Sequence, residues 1–187
     1  MSVSTRKILF AASALAAATL APTGAQAASG TFTAKANVLK PLQMTGGGTV
    51  DFGTIVTPST ASFTGTFVID AAASQTSTFC ASGFACSGTP AAAVFNLQGT
   101  NNNNITVNVP PTVTLTLQGA TGTPPTLTFA TKNSISATNS ANGNYTIQLP
   151  NSGSPGKDFY IGGSVTIDQA TVGGSYQGTF TVTADYQ

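Results

Sequence analysis

The chain has 187 residues, with six Lys or Arg, five Asp, no Glu, no His and a formal charge of +1. A chain this close to neutral, with no basic cluster, is a poor match for nucleic acid or for acidic lipid. The lack of His removes the Ser-His-Asp and Cys-His arrangements of nucleophilic catalysis.

Residues 1–27 have the form of a secretory signal peptide. Arg6 and Lys7 precede an apolar run from Ile8 to Leu20, and Ala25-Gln26-Ala27 supplies the small residues of a cleavage site. The run falls short of a comfortable bilayer span, and no second one follows, so no membrane insertion is expected after signal removal. Cleavage after Ala27 leaves residues 28–187 as a single domain, with four Lys and five Asp and a charge of −1. The expected location is outside the cytoplasm: periplasm, cell surface or fimbrium, or medium.

The remaining chain reads as all-β. Gly and Pro recur too often for helices, and short alternating runs lie between turn-forming clusters. Phe32, Ala34, Ala36 and Val38 alternate through "GTFTAKANV", the first expected strand, which Pro41 ends. Further strands are expected in "TVDFGTIV" (49–56), "ASFTGTFVID" (61–70), "AAAVFNLQG" (91–99), "NITVNVP", "TVTLTL", "TLTFA" and "YTIQLP". "DFYIGGSVTID" (158–168) reads as one bent strand or as two, with the break at Gly162-Gly163. Phe180, Val182, Ala184 and Tyr186 alternate in the closing "GTFTVTADYQ" and predict a C-terminal core strand. One apolar face per strand implies antiparallel sheets, packed as a sandwich or closed as a barrel. Thr, Ser, Asn and Gln fill the solvent faces. Thr suits this role because it is β-branched yet polar.

Cys80 and Cys86 are the only cysteines, in "CASGFAC". In an exported chain such a pair predicts a disulfide that pins one loop. A metal site would need more ligands, and no His supplies them. Gly46-Gly47-Gly48 lacks the Lys and the following helix of a phosphate loop. The five Asp lie in strands or beside turns, with no local motif around them. No catalytic residue, cofactor or metal is therefore expected, and the chain is read as not an enzyme.

Strand chemistry is what remains. An alternating first strand can complete its own sheet, or it can be donated to a neighbour and complete that neighbour's sheet through main-chain pairing. Residues 28–40, with Phe32, Ala34, Ala36 and Val38 as inserting side chains, are the candidate donor.

"KANVLKPLQMTGGGTVDFGTIV" and "FYIGGSVTIDQATVGGSYQGTFTVTADY" resemble the two ends of a bacterial secreted family, the domain of unknown function numbered 4402. The same ends are similar to spore-coat-U-type pilins of the archaic chaperone–usher pathway. Those pilins commonly place a Cys just after the first strand, where this chain has Leu42-Gln43-Met44. The resemblance implies an immunoglobulin-like antiparallel β-sandwich and assembly by donor-strand exchange. The partners would be copies of the chain or related subunits, with a periplasmic chaperone and usher. The expected function is that of an exported structural surface protein, a fimbrial or pilus-like subunit. The alternative is a monomeric secreted binding module for carbohydrate or cell surfaces, with contacts from the polar loops at 101–104 and 151–156.

Overall fold

A computed structural model describes residues 28–75, 79–136 and 141–187. The signal-peptide reading falls on residues 1–27, outside the described residues. Val38–Gln187 forms one compact unit. Residues 28–37 carry no strand or helix, and every one of them is exposed. The first expected strand, 30–38, is therefore not formed. A single segment with no ladder partner leaves its N–H and C=O groups to water.

The compact unit is all-β. Its strands are β1 (Gln43–Gly47), β2 (Thr54–Val56), β3 (Thr64–Ile69), β4 (Ala85–Ser87), β5 (Ala93–Gln98) and β6 (Asn104–Asn108). They continue as β7 (Thr112–Leu117), β8 (Thr126–Asn133), β9 (Asn144–Gln148), β10 (Lys157–Asp168), β11 (Tyr176–Gln177) and β12 (Thr183–Tyr186). A seven-stranded antiparallel sheet runs β1-β5-β10-β8-β7-β11, with β3 also paired to β10. A three-stranded sheet, β12-β6-β9, and a two-stranded ribbon, β2-β4, complete the set.

The "DFYIGGSVTID" stretch is one continuous strand, β10, which changes partner along its length. Lys157–Ile161 pairs with β5, and Gly163–Asp168 pairs with β3. On the opposite edge Ile161–Val165 pairs with β8. The two glycines sit where these ladders converge. A Cβ on Gly163 would meet the Ala130 carbonyl and the Phe129 ring, and one on Gly162 would meet the Ile69 carbonyl. Only glycine lets three strands approach β10 so closely at this point.

Phe159, Ile161, Val165 and Ile167 share one face of β10 and are all buried. The two halves of that face feed different clusters. Phe159 and Ile161 join Ala93 and Leu97 of β5 against Ile105, Val107, Tyr145 and Ile147 of the three-stranded sheet. This is sheet-on-sheet packing, so the fold is a sandwich. Val165 and Ile167 join Phe67, Val113 and Phe129, with Ile55 and Cys86 of the ribbon and Phe84 packed against them.

Cys80 and Cys86 form the expected disulfide, with Cα atoms 5.7 Å apart. The closed loop turns at Gly83 (φ +85°), with the Phe84 N–H donating to the Ala81 carbonyl. It does more than pin a loop. It holds Phe84 edge-on against Phe67 (5.0 Å, 85°) and Phe63 (5.7 Å, 86°). Replacing both cysteines by Ser is expected to lower unfolding stability by about 2 kcal/mol, as suits so short a loop. Urea denaturation of the oxidised and variant chains measures the difference.

The C-terminal strand is shorter than expected. Ladder pairing begins at Thr183, so Ala184 and Tyr186 lie in β12, whereas Phe180 and Val182 precede it in unpaired chain. All four still pack on the first cluster, with Val182 buried and the others half-buried. Tyr186 also fastens one end of the sandwich. Its hydroxyl donates to the Lys40 carbonyl (2.8 Å) and accepts from the Thr100 N–H (2.7 Å).

Candidate functional site

The candidate site is a groove of about 1020 Å³ in the compact unit. One wall includes Gly48–Ile55, between β1 and the end of the ribbon's first strand. Thr171–Phe180, the chain around β11, also lines it. Its apolar residues include Val113, Leu115, Leu127, Phe129, Val165 and Ile167, from β7, β8 and β10. Phe129 is central to the lining. Phe52 packs edge-on against it (5.8 Å, 82°), and Phe180 packs on it at 6.4 Å.

Local sequence explains why residues 48–53, between β1 and β2, join no ladder. Gly46, Gly47 and Gly48 all take positive φ, and Gly53 has φ +63°. Chain of this kind does not hold a long ladder. One bridge survives, in which Asp51 and Ala91 exchange both backbone hydrogen bonds (3.1 and 3.2 Å). Backbone groups of successive residues point to opposite sides of a strand. Those of Val50 and Phe52 therefore face away from Ala91, and among the described residues they have no backbone partner. Residues 178–182 are likewise outside any strand. The groove thus has an apolar lining bordered by chain with unused main-chain hydrogen-bonding capacity.

Its lining is nearly uncharged. Among the described lining residues Asp51 alone carries a charge; it is exposed, and its Oδ1 accepts the Gly53 N–H at 2.8 Å. The five aspartates are not brought together, and no group of three or more metal-ligating side chains occurs among the described residues. Among those residues no helix is long and apolar enough to cross a membrane.

The expected donor residues stand apart from any packing role. Phe32 is 94% exposed and Val38 86% exposed. Ala34 and Ala36 are exposed as well. The two polar loops, 101–104 and 151–156, do meet at one end of the sandwich. The Asn101 N–H donates to Ser152 Oγ (3.0 Å), and the Gly153 N–H to the Gly99 carbonyl (3.2 Å). The groove itself was not foreseen from sequence, because its borders are largely the irregular segments. The Gly46-Gly47-Gly48 run was the available signal.

No curated protein and no solved structure matches the chain. A family model does match, over residues 42–186, described as a domain of unknown function (DUF4402). The match spans most of the chain and begins after the exposed N-terminal segment, and on that basis the protein belongs to the DUF4402 family.

Proposed function

We propose that this protein is an exported structural subunit of a fimbrial or pilus-like surface assembly. In this reading residues 30–38 of one copy enter the groove of the next. The sandwich is then an immunoglobulin-like one that lacks a strand, and a neighbour supplies it. The observation that carries the reading is the groove: an apolar lining and main-chain edges with no backbone partner. The groove runs beside Gly48–Ile55, where Val50 and Phe52 offer the main-chain groups that a strand would pair with. The N-terminal segment has the matching chemistry, with Phe32, Ala34, Ala36 and Val38 on one side and polar residues on the other.

The open main-chain edge at Val50 and Phe52 is what needs cover before assembly. A periplasmic chaperone and an usher are the partners proposed for that stage, consistent with the spore-coat-U-type resemblance and with export directed by residues 1–27. Filaments of the exported protein, seen by electron microscopy of the native cells, are the expected end product.

Deleting residues 28–38 tests the donor role and spares Lys40, whose carbonyl accepts the Tyr186 hydroxyl. The truncated chain is expected to remain folded, with an unchanged far-ultraviolet spectrum, and to run as a monomer in size-exclusion chromatography where the full mature chain forms a ladder. Normal assembly of the truncated chain would refute the donor role.

A second reading, a monomeric binding module, rests on the meeting of the polar loops around Asn101 and Ser152. Retention of a monomeric full-length chain on glycan arrays would favour it.

A further inference from the structure

Charge is scarce in this chain, and its placement carries information. Between Ala28 and Leu39 the only charged residue is Lys35. Among the described residues that line the groove, the only charged one is Asp51. The signs are opposite. Both residues also fall at the correct phase. Lys35 alternates with Ala34 and Ala36, so it points away from the floor when those two point into it. Asp51 is exposed between half-buried Val50 and Phe52, so it too points away from the core.

We infer that Lys35 of an entering copy pairs with Asp51 of the receiving copy, and that this pair fixes the register of the inserted strand. The inference rests on the strand-complementation reading and adds to it the residue pair that selects one alignment. With Lys35 beside Asp51, Ala34 and Ala36 lie beside Val50 and Phe52 whichever way the strand runs. Small side chains then meet large ones. One of Phe32 and Val38 then falls beside Gly48, and the other lies past Gly53, where the receiving chain turns (φ +63°). At Gly48 a Cβ would meet nothing within 4 Å, so a bulky neighbour has room there. A slip of two residues sets Lys35 against Thr49 or Gly53, which carry no charge. A slip of one turns the apolar side chains outward and is excluded by the period of the strand. The main-chain edge and apolar floor alone accept several even-numbered slips; opposite charges directly across a ladder favour one of them.

The test uses the full mature chain, held dilute enough to run as a monomer, and a fluorescent synthetic peptide of residues 28–40. The wild-type peptide is expected to bind the chain. A Lys35→Glu peptide is expected to bind about threefold to tenfold more weakly at low ionic strength, as for an exposed pair that is first lost and then made repulsive. The Asp51→Lys chain is expected to reverse the preference. High salt is expected to shrink the gap. Asp51→Asn keeps an oxygen for the Gly53 N–H and removes the charge, and it is expected to bind both peptides about equally. Equal binding of both peptides to the wild-type and Asp51→Lys chains overturns the pair while leaving strand entry intact. Failure of the wild-type peptide to bind the wild-type chain overturns strand entry itself, and the pair with it.

Discussion

A second copy of residues 28–40, joined behind Gln187 through a short Gly/Ser linker, is expected to convert the protein into a stable monomer. The added strand fills the groove of its own chain, and no neighbour is then needed. A flexible linker holds the strand at a local concentration in the millimolar range. If the free strand binds in the micromolar range, this is about 1,000 times its dissociation constant, and occupancy adds about 4 kcal/mol to stability. For a domain of this size that corresponds to a melting temperature roughly 8–16 °C higher. Calorimetry reads the shift and light scattering reads the loss of assembly. Substituting Asp for Phe32 in the added copy should return both to the parent values. A fusion with unchanged melting temperature and undiminished assembly would count against groove filling.

Phe67→Ala is expected to cost about 3–5 kcal/mol, the usual penalty for a large-to-small change in a packed core. Phe67 has no exposed surface and packs against Phe79 (6.2 Å) as well as Phe84 (5.0 Å). Its removal opens a void under the disulfide loop, which the Cys80–Cys86 bond keeps from collapsing freely. Urea denaturation measures the loss. Phe32→Ala supplies the contrast: Phe32 is 94% exposed, so stability should change by less than about 0.5 kcal/mol. Two Phe→Ala changes in one chain thus separate folding from assembly.

Most paired strands were legible because their side chains obey period two. Phe67 and Ile69 in β3, Ile105 and Val107 in β6, and Tyr145 and Ile147 in β9 are buried at alternate positions, as the sequence pattern requires. The pattern failed where burial and polarity part company. β8 runs on to Asn133 because Thr131 and Asn133 are buried polar residues. Thr131 Oγ1 donates to the Pro110 carbonyl (2.5 Å), and Asn133 Oδ1 accepts from the Ile135 and Ser136 N–H groups. β1, "QMTGG", was missed because glycines hide any alternation, and β4, "ACS", is too short to show one. The opposite error occurred at 30–38, 49–53 and 178–182, where alternation is present but no ladder forms. Periodicity reports which side chains seek burial; it does not report whether a partner strand lies within reach. All three segments keep the pattern of strands without a ladder, and for that reason the groove could not be read from sequence.

The continuity of β10 has a consequence for cooperativity. Because one strand supplies Phe159 and Ile161 to one cluster and Val165 and Ile167 to the other, neither cluster can loosen without disturbing the same backbone. Val50 and Phe180 reinforce the link, since each packs against both clusters. A partly melted form, with one half ordered and the other open, would have to fray β10 in its middle, at the glycines where three ladders meet. The sandwich is thereby disposed to lose its structure in a single step, and damage to either half is felt across the whole unit.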